Sequence, residues 1–426
     1  MNGSRRPRIV ATNHGSTPEA GHGAAALAKA GLLSRYHVPI AFTEKQERMV
    51  RRLPNRVAAP MLRELRRRAL PSSIPSSAVS TTAAIPELRR VLAARRGRSK
   101  EAHDRLWYRQ LAAFDSAVAE GLGPADGGLY GIAGAAVRSL RRAGKLSVPT
   151  VLDCPMGHYG AVRSEMRREA ALAPDYAGTL QVHDFRDQLI ADHLEELERA
   201  DVVMALCSYA KRVLSESGVE ESKVAVILPG VDLELFRPRE RIPDGIFRVL
   251  FVGQITQRKG LSYLLDAFEA ASIERSELHL VGPVIGTSDP WIGRAGVVHH
   301  PPVPRAELID HYRRADVFVL PSLAEGFGLT ALEAMASGLP VILSTNTFAD
   351  DIVTDGEEGY IVPVRDSAAI AERLVALAGD PDGRAAAGSA ARERAEDLPW
   401  SRFGEAFVDL MRNVGRAPEA AGGDSR

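Results

Sequence analysis

The chain has 426 residues, 45% of them hydrophobic and 25% charged, with 54 Lys and Arg against 54 Asp and Glu. That length calls for two or three domains, and the composition is that of a globular enzyme rather than a disordered or fibrous chain. No run approaches the 18 or so apolar residues of a membrane-crossing helix, and the two cysteines, Cys154 and Cys207, have neither metal-site spacing nor the density of a disulfide framework.

The zero net charge hides an asymmetry. Residues 1–150 carry 26 Lys and Arg against 10 Asp and Glu, whereas the remainder carries 28 against 44. An electropositive first half implies an anionic partner: a membrane surface, a phosphate-bearing acceptor or nucleic acid. Within it, Met61–Leu70 sets Met61, Leu62, Leu65, Ala69 and Leu70 at helical spacing among Arg63, Arg66, Arg67 and Arg68. That is the pattern of an amphipathic basic helix, and it predicts peripheral contact with an anionic membrane. No nucleic-acid motif accompanies the charge. Arg5 and Arg6 are not followed by an apolar signal core, so a secretory leader is not expected and a cytoplasmic location is.

In chain order, short β-branched runs alternate with longer helical patterns. Strands are predicted at Arg8–Thr12, Thr150–Asp153, Val202–Leu206 and Val224–Leu228, then at Arg248–Val252, Leu278–Val281, Val317–Leu320, Val341–Ser344 and Tyr360–Val362. Between the later ones lie helical patterns at Leu261–Ala271, Arg305–Arg314 and Leu329–Ser337. Strands apolar throughout, alternating with helices, indicate α/β architecture with parallel sheets covered on both faces. The pattern restarts after a polar, Pro- and Gly-containing stretch at 237–248, read as a linker between an N-terminal domain (1–236) and a C-terminal domain (249–399). A mobile loop is expected at about 71–86, a C-terminal helix packing back on the N-terminal domain at 400–415, and a disordered tail at 416–426.

Three segments carry chemistry. At 249–261 (VLFVGQITQRKGL) a strand ends on Gly253 and a short turn presents Arg258 and Lys259 ahead of a helix. Ligands of open α/β sheets sit beyond the carboxyl ends of strands, where two cations can hold a diphosphate. At 319–341 (VLPSLAEGFGLTALEAMASGLPV) a strand runs through a Gly-interrupted loop into a helix beginning near Leu329. The amino end of that helix suits an anion, and Glu325 and Glu333, eight positions apart, can each accept hydrogen bonds from sugar hydroxyls. The third segment is 226–238 (VILPGVDLELFRP).

Together these segments resemble the retaining glycosyltransferase family 4, across roughly residues 200–380. The resemblance implies the GT-B fold, two Rossmann-like parallel-sheet domains facing across a cleft, and transfer of a hexosyl group from a nucleoside diphosphate sugar to an acceptor hydroxyl. It implies a role in cell-surface polysaccharide or glycoconjugate synthesis, on a glycan, lipid-linked or small-molecule acceptor, without metal or other cofactor. By it, Arg258 and Lys259 would hold the diphosphate and Glu333 the ribose. Glu325 would contact the donor sugar, Gly326, Phe327, Gly328, Leu329 and Thr330 would complete the pocket, and Val303 would border the base. Gly253 would admit the donor at the strand end. The family also brings a glycine-rich loop after the first strand, here around Gly15, close to the donor phosphate. A histidine after a later strand, here His158, would face the donor sugar. Many members carry a Gly-Gly turn after the strand ending at Ser344; this chain has Thr345-Asn-Thr-Phe-Ala instead. His299 and His300 are read as packing or edge residues, since no third ligand is apparent for a metal. The alternatives are a sugar-nucleotide epimerase and a non-catalytic sugar-nucleotide-binding protein.

Overall fold

The computed structural model describes residues 8–414, apart from 16, 42–43, 57, 60–61, 63–69, 96–99, 181–184, 239–243 and 287–292. The expected basic helix at 61–70 (but for Leu62 and Leu70), residues 239–243 of the linker and the tail at 416–426 lie outside the described residues. Two parallel sheets organise the chain. The first comprises β1 (Ile9–Thr12), β2 (Leu33–Val38), β3 (Val79–Thr81), β4 (Gly128–Ile132), β5 (Thr150–Asp153), β6 (Val202–Ala205) and β7 (Val224–Val226), in the order 3-2-1-4-5-6-7. The second comprises β8 (Phe247–Val252), β9 (Ser276–Val281), β10 (Val297–His300), β11 (Val317–Leu320), β12 (Val341–Ser344) and β13 (Gly359–Val362), in the order 10-9-8-11-12-13. In each, sequential growth reverses beside the first strand, which is the switch point of a doubly wound sheet.

Burial explains which strands were visible in the sequence. β1, β5, β11 and β12 are buried along their whole length, and a strand covered on both faces must be continuously apolar. The other strands give a weaker signal. β2 contains Arg35 and His37, β4 contains two glycines, and β3 and β10 are partly exposed edge strands. The segment 71–86, expected as a mobile loop, carries a 3₁₀ turn at Ser76–Ala78 and then β3, paired in parallel with β2.

The chain divides into two compact units. The first is Met1–Cys154, Ala191–Met204 and Phe403–Arg426; the second is Pro155–Ile190 and Ala205–Arg402. The division therefore does not follow a single cut at 237–248. The helix Tyr159–Leu172 belongs with the second unit because Val162 and Met166 pack on Leu323 and Ala324. The helix Trp400–Asn413 belongs from Phe403 onward with the first, where the Phe407 ring meets Tyr130 edge-on with centroids 4.8 Å apart.

In the first unit the chain leaves β1 through a turn held by Asn13, whose side chain accepts from Thr17 N and donates to Thr17 O, both at 3.1 Å. Exposed Gly15 lies in this turn, and the helix Pro18–Lys29 follows. Buried Glu19 in its first turn has its carboxyl pushed up to about 7 by burial, against hydrogen bonds from its own backbone and Thr17. The unfolded carboxyl ionises near its ordinary value while the folded one stays neutral, so this group's contribution to stability is complete below about pH 4.5 and is lost as pH rises to about 7. Glu19→Gln should therefore raise the melting temperature of the protein at pH 8, by no more than about 3 kcal/mol of stability, and leave it little changed at pH 4.5. Equal gains at both pH values in thermal unfolding would contradict this.

Candidate functional site

The second unit brings Gly253, Arg258, Lys259 and the residues 325–330 together around the ends of β8 and β11. β8 closes at Gly253, and Thr256 caps a 3₁₀ turn, Gln257–Lys259, its hydroxyl accepting from Arg258 N. Gly260 ends the turn with φ +75, and the helix Leu261–Ala271 begins. Leu261, Leu264, Leu265 and Phe268, at helical spacing, bury one face of that helix.

Arg258 and Lys259 both turn toward the loop after β11. Arg258 Nη1 donates to Ala324 O at 2.7 Å and stands 3.8 Å from Glu325 Oε2. Lys259 Nζ forms an ion pair with the same oxygen, which also accepts from Ser322 Oγ at 3.1 Å. The group is nearly enclosed, with side-chain exposures of 16% for Arg258 and 11% each for Lys259 and Glu325. Burial works to raise the Glu325 pKa, but the Lys259 and Arg258 charges and the hydrogen bonds from Lys259 and Ser322 outweigh it, leaving the carboxyl below its ordinary value. Burial also pulls the Lys259 ammonium down, Glu325 opposing and Arg258 adding. Two cations against one carboxylate leave a residual positive charge in a dry setting, where it acts strongly on an anion.

The chain then passes Gly326 and Phe327 to Gly328, φ +104, which caps the helix Leu329–Ala336 without any side-chain hydrogen bond. Its first amides point out beside the partial positive charge of the helix end. Gly326 passes so close to Pro155 that a β-carbon would lie 1.5 Å from the Pro155 carbonyl oxygen, and its own carbonyl accepts from Cys207 Sγ at 3.0 Å. Phe327 is buried against Phe348, ring centroids 4.6 Å apart. Where the sequence has no glycines, at 345–349 and just before, side chains tie this loop to the one after β11. Asn346 Nδ2 donates to Leu323 O at 2.8 Å, and Ser344 Oγ donates to Ser322 O at 2.6 Å.

Glu333, one turn into the helix, receives Arg305 Nη2 at 3.0 Å and Tyr312 OH at 3.0 Å, both from the helix Arg305–Arg314. Burial raises its pKa, with Arg305 and Tyr312 opposing. Val303 is half-buried two residues before that helix, and the Thr330 carbonyl accepts from Tyr312 OH at 3.1 Å.

His158 is the N-cap of the helix Tyr159–Leu172, its Nδ1 accepting from Ala161 N at 3.1 Å. Gly15 belongs to the first unit, and His158 to the second.

Sequence reading missed the residues that support the cationic turn. Thr179 Oγ1 accepts from Gln257 N at 2.8 Å, and the Thr179 carbonyl accepts from Thr256 Oγ1 at 2.7 Å. Glu169, fully buried, accepts from Gln257 Nε2 at 2.6 Å, Tyr263 OH at 2.9 Å and Arg365 Nε at 2.8 Å. A buried carboxylate needs such complete pairing. Nothing local in the sequence marks it, because its partners lie up to 196 positions away. A group absent from the sequence reading also forms here: His279, His300 and His311.

Residues 246–380 match the family described as Glycosyl transferases group 1. A D-inositol 3-phosphate glycosyltransferase of Streptomyces avermitilis is 34% identical over 259 residues, 55% of this chain and 53% of that protein. One from Arthrobacter is 36% identical over 213 residues, 45% of this chain and 51% of that protein. The chain thus spans about half the length of the curated relatives it matches. Among solved structures, Anabaena HepE in complex with UDP-glucose aligns with TM-score 0.61 at 15% identity, over 96% of this chain and 100% of that one. Sucrose-phosphate synthase from Thermosynechococcus elongatus aligns with TM-score 0.59 at 19% identity, over 96% and 99%. The family match is confined to the unit that carries Arg258, Lys259, Glu325 and Glu333, so that stretch is similar to the group 1 glycosyl transferases, and the chain shares with these structures the two parallel-sheet α/β domains of the GT-B fold.

Proposed function

We propose that the protein transfers a hexosyl group from a nucleoside diphosphate sugar to an acceptor hydroxyl, with retention of the anomeric configuration. The observation that carries this reading is the convergence of Arg258 and Lys259 on Glu325, just ahead of the uncapped amino end of Leu329–Ala336. When the anomeric carbon–oxygen bond breaks, the electron pair leaves with the diphosphate. Preorganised cations and helix amides then gain more against the departing group than against the intact donor, which is the condition for acceleration. Glu325, ionised and oriented by Ser322 and Lys259, accepts from a hydroxyl of the transferred sugar. Glu333, oriented by Tyr312 and Arg305, does the same for the ribose.

The donor class is supported by UDP-glucose in the HepE structure, and the acceptor class by the names of the curated relatives. A phosphorylated polyol acceptor also suits the excess of basic residues in 1–150. The test is a panel of nucleoside diphosphate sugars with and without inositol 3-phosphate. The accepted donor raises the melting temperature, by about 2.7 kcal/mol of stability at a hundredfold excess over Kd, and the acceptor then yields a glycoside of unchanged anomeric configuration. An inverted glycoside removes the retention, and an epimerised sugar nucleotide formed without acceptor removes the transferase reading. The basic first half further supports a cytoplasmic role at an anionic membrane face, in polysaccharide or glycoconjugate synthesis. Flotation with phosphatidylglycerol vesicles recovers the protein if so; recovery only in the soluble fraction refutes it.

A further inference from the structure

β9 and β10 run parallel with His279 opposite Val298 and His300 opposite Val281. Side chains alternate along a strand, so His279 and His300 are diagonal neighbours on one face, while His299, opposite Leu280, points to the other. The helix Arg305–Arg314 adds His311 to the same face, its ring 4.5 Å from that of His300 between centroids. One ring nitrogen from each of the three lies within 4.8 Å of the other two, and all three residues are partly buried.

The hydrogen bonds determine which nitrogen His279 offers. Its Nε2 lies 3.0 Å from Glu277 Oε2, and an ionised carboxylate only accepts, so Nε2 carries the proton. Nδ1 therefore presents a lone pair, toward His300 Nε2 at 2.9 Å. Arg248 Nε, 3.0 Å from the same Glu277 oxygen, holds the carboxylate in place. A histidine whose far nitrogen donates to a carboxylate is the arrangement that orients metal-binding imidazoles and makes them more basic.

We propose that His279, through Nδ1, together with His300 and His311, binds a single divalent transition metal ion of the zinc type, with Glu277 as the outer carboxylate and a fourth position left to solvent. Tetrahedral coordination at about 2.0–2.1 Å separates ligand nitrogens by about 3.3 Å, so the His279–His300 pair opens by only a few tenths of an ångström. On binding, His300 gives up its Nε2 proton or moves it to Nδ1. Three neutral imidazoles suit zinc, copper and nickel and exclude magnesium or calcium as the preferred ion. The ion ties edge strand β10, paired on one side only, to the helix that also carries Arg305 and Tyr312. It takes no part in the proposed transfer, and its test does not depend on that reaction.

Full-length protein, stripped with chelator and dialysed, is titrated with Co²⁺ and followed in the visible. The expected result is d–d absorption saturating at one equivalent, displaced by Zn²⁺, with Zn²⁺ also raising the melting temperature. His300→Ala and His311→Ala abolish the bands, Glu277→Gln weakens binding by about 10–100-fold, and His299→Ala, whose ring nitrogen faces Gly282 O at 3.0 Å, leaves it unchanged. Folded wild-type protein that gives no cobalt spectrum at one equivalent overturns the proposal without recourse to any variant. So does a spectrum that survives in both His300→Ala and His311→Ala, or one lost in His299→Ala while they retain it.

Discussion

Replacing Arg258 with alanine is expected to lower kcat by about 10²–10³-fold, the usual loss when one preorganised donor to a developing negative charge is removed. Arg258 stands beside the Lys259–Glu325 pair without being its main partner, so Glu325 keeps its ion pair with Lys259 and its bond from Ser322. What the fold loses is chiefly the 2.7 Å bond to the Ala324 carbonyl, about 1–3 kcal/mol for a hydrogen bond from a charged group. Lys259→Ala differs in kind, because it leaves Glu325 ionised, enclosed and deprived of its closest cation. Breaking a buried pair in this way costs about 3–5 kcal/mol of stability, so this variant loses both turnover and melting temperature. Steady-state rates at saturating donor, measured beside thermal unfolding, separate the two. An Arg258→Ala enzyme within about threefold of the parent kcat would show that this cation does not act on the leaving group.

Gly326→Ala is expected to be strongly destabilising. Its β-carbon would lie 1.5 Å from the Pro155 carbonyl oxygen, a backbone atom that cannot rotate away. The loop or the Pro155 turn must move, at a cost of about 3 kcal/mol, the upper end for overpacking. The displaced segment is the one that presents Glu325 and the amino end of Leu329–Ala336. Gly260 meets a similar limit, with φ +75 and the Pro321 carbonyl 2.1 Å from an added β-carbon. The control is Gly144→Ala in the helix Val137–Leu146, where nothing lies within 4 Å; there alanine is neutral or stabilises by up to about 1 kcal/mol. Chemical denaturation of the two variants should differ in sign, and equal stabilities would show that the Gly326–Pro155 approach is relaxed in solution.

The elements legible in the sequence were those whose signal is local. Leu261–Ala271 and Arg305–Arg314 were predicted with their observed limits, because apolar residues at three- and four-residue steps can satisfy only a helix packed on one face. β11 and β12 were legible because strands buried on both faces must be continuously apolar. The turn carrying Arg258 and Lys259 and the loop from Glu325 into Leu329–Ala336 were legible because glycine, charged residues and helix start follow one another within a few positions.

Tertiary structure alone decided the rest. β4 escaped notice because Gly128 and Gly131 weaken its strand propensity, and its place between β1 and β5 stabilises it instead. Glu169 reads in the sequence as one more charge on a helix, and only folding gathers Gln257, Tyr263 and Arg365 around it. His279, His300 and His311 are separated by 21 and 11 positions, and a parallel register together with one helix brings them to a common point. Sequence periodicity reports which face of an element is covered, because that depends on near neighbours. Which distant side chain lies opposite depends on strand order and register, which the hydrophobic pattern of a doubly covered strand leaves undetermined.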